Sequence, residues 1–535
     1  MSDDTRTPSR IPALVVLAGL LVAAVVYDGA RTHGHPATAP QVQAGIAIPA
    51  AEPAASLSST WFCAGGTAGA GGFADHVVLM ANPSDQARTA TITVLTGAIA
   101  PAPVLPGTTP TTTATVKGKA TTTTSSTTTS TVAGAPAPTA RVPLPAHSRV
   151  AYRLGGLVST ELAGAIVEVD GGEIAVEHEI TGPLGKATAP CSSTTAATWS
   201  FPWGVTNRGD HELLVFMNPF PDDATVDVSF ATDEGVRDTA RFRGFVVPGR
   251  SVVGAYIDQD VTRKDQVSAT VNVRGGRVVV DRIQTFDGTD GRQGITMGLG
   301  APAAAGTWVF PDGQVGPGLA EQMVVYNPGA SVAEAEVEVR LDDPTKNGTP
   351  EPFQLTIDPG SYAIVNLQTE DRIPQGVGHA SFVRSLNGVP IVAERAVSAT
   401  TGAVRRGVST TLGSPIGAPT WYFAGGGPTA DRDEFITLVN LSDTKAVRYS
   451  ITGLAGGQVL AIDGLQDLQL APGARVAVRL GDHVQRDELP VVVSADGPIV
   501  AERGLYKVGG GGLSQSMGIP LDDHVMVPAP VAASG

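Results

Sequence analysis

The chain has 535 residues, a formal net charge of −15, and 42% hydrophobic and 16% charged residues. That length is enough for three or four domains. The acidic balance argues against nucleic acid as a natural partner, because a nucleic-acid-binding surface needs a basic footprint.

The N-terminal part of the chain predicts a membrane anchor. Residues 11–27 form a continuous apolar segment, and Arg6 and Arg10 precede it. Arginines on that side place the N-terminus in the cytoplasm and the remainder outside the cell membrane. The segment is short for a transmembrane helix and long for a signal-peptide core, but no convincing cleavage site follows it. We therefore predict an uncleaved, single-pass anchor, with the bulk of the protein extracytoplasmic.

A unit of about 110 residues then occurs four times. Each copy contains a Trp, an Asn at the end of an apolar run, a Pro-Gly or Pro-Ala turn, and an acid on a later apolar segment. The recurring residues are Trp61, Asn82 and Glu177, then Trp199, Asn218 and Asp281, then Trp308, Asn327 and Glu394, and finally Trp421, Asn440 and Glu502. The predicted organisation is a cytoplasmic tip (1–10), an anchor (11–30), a tether (31–58), four repeats (59–187, 198–298, 306–412 and 419–520) and a tail (521–535).

Hydrophobic periodicity within the repeats predicts β-strands. Residues 334–341 alternate charged and apolar side chains, a period of two that indicates a half-exposed strand. The run before each Asn is almost continuously apolar, as in a strand that is covered on both faces. We predict an all-β protein, a tandem array of about four immunoglobulin-like β-sandwich repeats behind an N-terminal transmembrane helix. A β-propeller is disfavoured because its blades have about 40–50 residues.

Repeat 1 carries an insert rich in Thr and Ser, residues 107–133. This composition cannot bury apolar surface, so the insert is predicted to be a disordered loop. Mucin-like O-glycosylation is the alternative interpretation.

The chain contains two cysteines, Cys63 and Cys191. In an exported protein they are expected to form a disulfide, which would tie the start of repeat 1 to the segment that enters repeat 2. Zinc is disfavoured, because two sulfurs without a nearby pair of histidines do not make a site.

Each recurring acid is followed by a base, as Glu177-His178, Asp281-Arg282, Glu394-Arg395 and Glu502-Arg503. Neighbours on a strand face opposite ways, so the two charges of one strand cannot pair with each other. A buried charge then needs a partner elsewhere in the protein. Recurrence in every repeat favours a structural role, because a catalytic acid is rarely needed four times. We therefore predict no catalytic residue, no metal site and no cofactor.

The motif Trp61-Phe62-Cys63 with Asn82-Pro83, followed by Cys191 and by Trp199 with Asn218-Pro219, resembles an uncharacterised actinobacterial family, domain-of-unknown-function 5719. The later copies resemble the Trp-Tyr-Phe-Ala…Ala-Glu-Arg repeats of exported bacterial surface proteins, although Gly425 stands where those repeats usually carry Glu. The resemblance covers about residues 55–520. It implies a membrane-anchored envelope protein of high-GC Gram-positive bacteria and brings no assigned activity.

The function predicted from these observations is a non-enzymatic envelope scaffold or protein-binding module. It would have the membrane and an unknown envelope protein or cell-wall polymer as partners. The alternative is a cell-wall glycan-binding accessory of an envelope glycosyltransferase, which would need Trp203 and Phe201 exposed and clustered with loops at one end. A hydrolase is a third hypothesis, and it requires two carboxylates facing each other about 5–10 Å apart in a cleft.

Overall fold

The computed structural model describes residues 47–69, 71–101, 137–400, 403, 406–509 and 511–521. The predicted anchor, most of the tether, the Thr/Ser-rich insert and all but the first residue of the tail lie outside these residues. In the described part of the chain, no helix is long and apolar enough to cross a membrane. The predicted all-β class is confirmed. The helices in the described ranges are one short α-helix, α1 (Pro344–Asn347), and the single 3₁₀ turns Leu154–Gly156, Ala240–Phe242, Leu367–Thr369 and Leu480–Asp482.

Repeat 1 consists of two antiparallel sheets. Its strands are β1 (Ser59–Cys63), β2 (Asp75–Asn82), β3 (Arg88–Ile99), β4 (Thr139–Leu144), β5 (Ser148–Arg153), β6 (Leu162–Val169), β7 (Ala175–Gly182) and β8 (Gly185–Pro190). The outer sheet has the order β1-β6-β3-β4, and the inner sheet has the order β5-β2-β7-β8. The last strand continues to Pro190, past the predicted end of the repeat at residue 187.

Repeat 2 has the same plan. Its strands are β9 (Thr198–Phe201), β10 (Asp210–Asn218), β11 (Ala224–Thr232), β12 (Gly235–Asp238), β13 (Phe245–Val247), β14 (Ser251–Tyr256), β15 (Ser268–Gly275), β16 (Val279–Asp287) and β17 (Gln293–Leu299). The outer sheet has the order β9-β15-β11, with β12 and β13 on β11, and the inner sheet has the order β14-β10-β16-β17.

Repeat 3 repeats the arrangement again. Its strands are β18 (Thr307–Gln314), β19 (Leu319–Asn327), β20 (Ala333–Leu341), β21 (Phe353–Ile357), β22 (Ser361–Asn366), β23 (Gly378–Ser385), β24 (Val392–Ala399) and β25 (Gly407–Leu412). The outer sheet is β18-β23-β20-β21 and the inner sheet is β22-β19-β24-β25.

Repeat 4 differs in that one long strand serves both sheets. Its strands are β26 (Ala418–Phe423), β27 (Arg432–Asn440), β28 (Val447–Ala455), β29 (Gln458–Ala461), β30 (Leu468–Leu470), β31 (Arg475–Arg479), β32 (Val491–Lys507), β33 (Leu513–Met517) and β34 (Ile519–Pro520). The first part of β32 lies between β26 and β28 in the outer sheet. Its second part lies between β27 and β33 in the inner sheet.

The four repeats form a closed ring rather than a linear array. The last strand of each inner sheet, which we call the axis strand, contacts the axis strands of both neighbouring repeats, in the order β8, β17, β25, β33 and back to β8. Hydrogen bonds cross between axis strands: the amide of Thr188 donates to Ser514 Oγ at 3.0 Å, and the amide of Gln515 donates to Ser409 Oγ at 2.7 Å. Because the first of these bonds joins repeats 1 and 4, the ring is closed without a covalent link.

The recurring Trp and Asn residues are buried structural elements. Each Trp lies on the first strand of its outer sheet and is fully buried, as is each Asn at the end of its inner strand. The indole of Trp308 donates to the carbonyl of Ile391 at 2.7 Å. Asn440 Nδ2 donates to the carbonyls of Lys445 and Ala471 at 2.8 and 3.0 Å. Each Asn thus closes the turn that follows its strand, by supplying the hydrogen bonds that buried backbone groups require.

The predicted disulfide Cys63–Cys191 is confirmed, with a Cα–Cα distance of 4.7 Å. Repeats 2 to 4 have a Phe and a Gly at the two equivalent positions, namely Phe201 and Gly300, Phe310 and Gly413, and Phe423 and Gly518. A Cβ on these glycines would lie 2.6, 2.7 and 2.8 Å from the ring, so the Phe side chain packs directly on the glycine. In repeat 1 the disulfide therefore replaces an aromatic contact between the same two strands.

The end of the predicted tether belongs to the folded body. Ala47, Ile48 and Ala51 are buried, and Ala51 forms a parallel bridge with Leu521. The region 31–58 is therefore not a free tether over its last residues, because these small apolar side chains pack against the ring. The N-terminal and C-terminal ends of the described chain consequently lie side by side.

Candidate functional site

The recurring acids and bases lie on the third strand of each inner sheet, namely β7, β16, β24 and β32. This strand has a partner strand on each side, so acid and base point to its two opposite faces. Each Arg lies under the Phe of its own repeat, as Arg395 does at 5.9 Å from the Phe310 ring centre and Arg503 at 5.4 Å from that of Phe423. The acid instead extends into the preceding repeat of the ring.

Three of the four junctions are closed by an Arg–Glu pair between repeats. Arg282 of repeat 2 pairs with Glu394 of repeat 3, and Arg395 of repeat 3 pairs with Glu502 of repeat 4. Arg503 of repeat 4 pairs with Glu177 of repeat 1, with Nη1–Oε2 and Nη2–Oε1 distances of 3.0 and 3.1 Å. All these side chains are at least 96% buried. We call each pair a clasp.

Each clasp also uses the backbone four residues after the repeat Trp. The amides of Trp203, Asp312 and Gly425 donate to Glu394, Glu502 and Glu177 at 2.9, 3.0 and 2.5 Å. The carbonyls of the same three residues accept a hydrogen bond from the Arg of the clasp. A buried ion pair is stable only when its remaining donors and acceptors are satisfied, and these contacts satisfy most of them. The Nε atom of each Arg has no hydrogen-bond partner among the described residues.

A second acid lies beside three of the clasps. Glu212, Glu321 and Glu434 are fully buried, and each lies six residues before the recurring Asn. Burial raises the pKa of Glu212 to about 8 and that of Glu434 to about 7, against the attraction of the neighbouring Arg. One Arg therefore faces two carboxyl groups, and the raised pKa values of Glu212 and Glu434 reduce the negative charge beside their clasps near neutral pH. Sequence reasoning missed these residues, although their constant spacing from the Asn was a usable signal.

The junction between repeats 1 and 2 has a different composition. The acid is Asp281, the base is His178, and His76 stands where the other repeats have the second Glu. His76 Nδ1 lies 2.8 Å from the carbonyl of Ala163, and His76 Nε2 lies 3.0 Å from His178 Nδ1. His178 Nε2 then faces Asp281 Oδ2 at 3.7 Å. All three side chains are buried.

Hydrogen-bond direction fixes the protonation pattern of this chain of side chains. A carbonyl only accepts, so His76 Nδ1 carries a proton, and neutral His76 then accepts from His178 Nδ1. The Nε2 atom of a neutral His178 is left as a lone pair that points at Asp281. Burial lowers the pKa of His76 to about 4 and raises that of Asp281 to about 7. This junction therefore needs one proton between His178 and Asp281, whereas each Arg clasp contains a guanidinium that stays charged.

Asp281 is otherwise held as in the other junctions. Its Oδ2 accepts the amides of Ala64 and Gly65, both at 3.0 Å. Asp281 of repeat 2 thus binds the backbone that follows Trp61 in repeat 1. Glu394 of repeat 3 binds the amide of Trp203 in repeat 2 at the equivalent place. The backbone contact is kept although the side chains differ: Asp281 stands in place of Glu and His178 in place of Arg, and repeat 1 has no Phe at the position where the Arg of the other repeats stacks.

The glycan-binding hypothesis requires exposed aromatic side chains, and the hydrolase hypothesis requires two facing carboxylates in a cleft. The aromatic and acidic side chains in question do not have these positions. Trp203 and Phe201 are 0% and 2% exposed, so they form no aromatic platform for a glycan. Both pack around Arg282, with ring centres 5.9 and 5.5 Å from its guanidinium carbon. The recurring acids are buried against arginines rather than facing one another across an open cleft. No group of three or more potential metal ligands occurs among the described residues.

Comparison with known proteins supports one part of the sequence interpretation. Residues 173–407 match the family of unknown function DUF5719. The match runs from the end of repeat 1 through repeat 2 and most of repeat 3, and the description of DUF5719 assigns no activity. No curated protein matches the chain.

Two solved structures show limited similarity. The crystal structure of Thermotoga maritima 1070 aligns with 22% identity over 21% of this chain and 93% of that chain, with a TM-score of 0.18. The α-L-rhamnosidase of Streptomyces avermitilis in complex with L-rhamnose aligns with 9% identity over 63% of this chain and 49% of that chain, with a TM-score of 0.11. These TM-scores are too low to support any conclusion about fold or activity.

Proposed function

We propose that this protein is a membrane-anchored, extracytoplasmic scaffold of the cell envelope, built from four immunoglobulin-like repeats and acting by binding a protein partner rather than by catalysis. The observation that carries this proposal is the closed ring of buried clasps. The conspicuous charged residues of every repeat are engaged with the neighbouring repeat, so their recurrence serves assembly. A ring held in this way is a rigid body, which suits a platform for other proteins.

Two further observations support the extracytoplasmic part of the proposal. The Cys63–Cys191 disulfide suits an oxidising compartment, because cytosolic thiols are kept reduced. The apolar segment 11–27 lies upstream of Ala47, where the described chain enters the ring beside Leu521. In the proposal, a membrane anchor at the N-terminus tethers the chain to the membrane.

The location is tested by membrane fractionation and external proteolysis of cells that produce the full-length chain. We expect the protein in the membrane fraction, sensitive to protease added outside intact cells, and a variant that lacks residues 11–27 in the soluble cytoplasmic fraction. Recovery of the full-length chain as a protease-protected cytoplasmic protein would contradict the proposal.

The scaffold role is tested by photo-cross-linking from exposed side chains of the ring, such as Phe220, Val332 and Val459, which are 42, 40 and 51% exposed. A discrete envelope protein captured by the intact ring, and lost when a clasp is broken, is the expected result. Retention on isolated cell-wall polymer without any protein partner would favour the glycan-binding alternative.

A further inference from the structure

A groove of about 570 Å³ lies at the junction between repeats 4 and 1. Its walls come from the inner sheet of repeat 1 and from the end of β32, the start of β33 and neighbouring loops of repeat 4. This volume is in the range of sites that hold small organic ligands or short segments of a polymer. The groove is adjacent to the buried Arg503–Glu177 clasp and distinct from it.

The equivalent groove between repeats 3 and 4 shows what is special about this one. That groove measures about 340 Å³, and its lining combines apolar side chains with Asp312, Asp342 and Arg475. Positions in the two grooves correspond when they lie at the same distance from the recurring Asn, from the recurring acid, or along the axis strand. At three such positions the groove between repeats 3 and 4 has an apolar side chain and the groove between repeats 4 and 1 has a basic one. The pairs are Leu319 and Arg432, Ala399 and Lys507, and Leu513 and Lys186. The ring therefore keeps the groove but has cations in place of three apolar side chains at the junction between repeats 4 and 1.

Each groove contains an arginine at the same position, and the one between repeats 4 and 1 has fewer and weaker counter-ions. Arg475, between repeats 3 and 4, binds Asp312 at 3.0 Å and Asp342 at 2.8 Å. The equivalent Arg149 has a side chain that is only 11% exposed, and its one ion-pair partner in the described part of the chain is Glu488 at 3.6 Å. Glu488 is 64% exposed, and Arg149 Nε has no hydrogen-bond partner within the described ranges. A nearly buried cation is stable when an anion satisfies it, so the groove lacks a counter-ion that the equivalent groove contains.

Acidic side chains also line the groove, mostly at its rim. Glu179 is neutralised by Lys186 at 2.7 Å. Asp431, Asp487 and Glu488 are exposed, where solvent and salt screen their charge. The floor beside Arg149 is thus the electropositive part of the groove.

We propose that the groove between repeats 4 and 1 binds an oxyanion, a carboxylate or phosphate carried by a small organic molecule or a hydrophilic polymer. Arg149 supplies the central contact, because a guanidinium matches two oxygens of such a group, and Lys186 and Lys507 flank it. The inference rests on the comparison of the two grooves and holds independently of the envelope location.

Titration calorimetry of the detergent-solubilised full-length chain tests the site, with inorganic pyrophosphate as a phosphate probe and polygalacturonate as a carboxylate probe. Replacing Lys186 by Leu and Lys507 by Ala gives both positions the side chains of the groove between repeats 3 and 4. The matched control removes two exposed charges elsewhere, in a Lys346→Ala, Lys445→Ala variant.

We expect the wild type and the control to bind at least one probe at a single site, and the groove variant to bind it at least about tenfold more weakly. Arg149→Gln should abolish binding, and a melting curve verifies that this variant is folded. Equal affinity in all proteins would show only general ionic attraction and overturn the proposal. Failure of both probes to bind the wild type would overturn it as well.

Discussion

The junction between repeats 1 and 2 and the junction between repeats 4 and 1 present an acid at the same position but differ in what holds them together. Repeats 1 and 2 are consecutive in the chain, and β3 pairs with β14 to form one continuous sheet across them. Repeats 4 and 1 are brought together only by non-covalent contacts. The first junction contains a titratable His–Asp pair, and the second contains an Arg–Glu pair with two matched hydrogen bonds.

The difference indicates how strength is distributed around the ring. Where β3 and β14 already join two repeats in one sheet, a pair that depends on a proton is sufficient. Where the ring closes without such help, the pair carries permanent charge and apolar contacts are added: Tyr422, Ala424 and Ile519 of repeat 4 pack into the core of repeat 1. The closing clasp is therefore the element on which the ring depends most.

The largest expected effect comes from removing the cation of the closing clasp. Arg503→Ala leaves Glu177 buried without a counter-charge, and breaking a buried pair in this way costs about 3–5 kcal/mol. Urea-induced unfolding, followed by tryptophan fluorescence, measures the loss. Arg448→Ala is the control in the same repeat, because its pair with Asp467 is largely exposed and its removal should leave the unfolding midpoint nearly unchanged. Equal midpoints for the two variants would contradict a special role for Arg503.

A clasp inside the continuous part of the ring should also matter. Glu502→Ala removes the anion between repeats 3 and 4 and leaves Arg395 buried without its main partner. We expect a lower melting temperature, by the same mechanism and of similar or slightly smaller size. A melting temperature equal to that of the wild type would contradict the structural role of the recurring acid.

Removing the disulfide tests how far the stability of repeat 1 depends on this bond. The bond joins residues 128 positions apart, and replacing both cysteines by alanine is expected to cost about 2–5 kcal/mol. Repeat 1 lacks the Phe-on-Gly contact of the other repeats, so besides the disulfide this position has only the backbone bridge between Phe62 and Ser192. A Cys63→Phe, Cys191→Gly variant, which introduces the residues of repeats 2 to 4, should recover part of the loss. Recovery no better than in the alanine variant would argue against the equivalence of the two contacts.

The pH dependence of stability separates the two junctions. His76 has a folded-state pKa of about 4, below its unfolded value of 6.5, so its contribution is present above pH 6.5 and is lost as the pH falls towards 4. Asp281 behaves in the opposite sense: its contribution is present below its ordinary pKa and is lost as the pH rises towards about 7. The charged group that acts on His76 from its own strand is Asp75, which is paired with Arg153.

The His76→Gln variant isolates the contribution of His76 to the loss of stability at acidic pH. Between pH 7 and pH 4 it should lose less stability than the wild type, by on the order of 3 kcal/mol. The exposed His211, replaced by Gln, is the control. Parallel pH profiles for the wild type and His76→Gln would show that the buried histidines do not titrate with unfolding.

The smallest effect concerns a feature that the two end repeats share. Asn82 and Asn440 each close a turn with the same set of backbone hydrogen bonds, so Asn82→Ala and Asn440→Ala should cost similar amounts, about 1–3 kcal/mol each. If the two variants shift the unfolding midpoint equally, repeats 1 and 4 differ in their junctions and not in this turn. A large inequality would extend that difference to the repeats themselves.

The sequence predicted what is local and repeated. Alternation along residues 334–341 indicated a strand, and the constant order of Trp, Asn and acid indicated four equivalent units. The pairing of Cys63 with Cys191 followed from their number and the expected compartment. The sequence also indicated that a buried charge on the acid–base strand needs a partner elsewhere in the protein, since neighbouring charges on a strand face opposite ways.

The partners of those charges were beyond sequence reasoning. Strand alternation shows that Glu394 and Arg395 diverge, but it does not show that one reaches repeat 2 and the other repeat 4. Ring closure depends on the angle between successive repeats, which many weak contacts along the axis strands determine together. The substitution of His178 for Arg and of Asp281 for Glu at a single junction becomes meaningful only once these two residues are known to face each other.

Cross-linking of lysines in solution tests the closed ring most directly. Lys186 of repeat 1 and Lys507 of repeat 4 line the same groove although they lie far apart in the sequence. With a short amine-reactive reagent and mass spectrometry, we expect an intramolecular Lys186–Lys507 cross-link in the wild-type monomer and a marked reduction of this product in Arg503→Ala. A wild-type monomer that forms no such cross-link, while Lys186 and Lys507 both react singly with the reagent, would contradict ring closure.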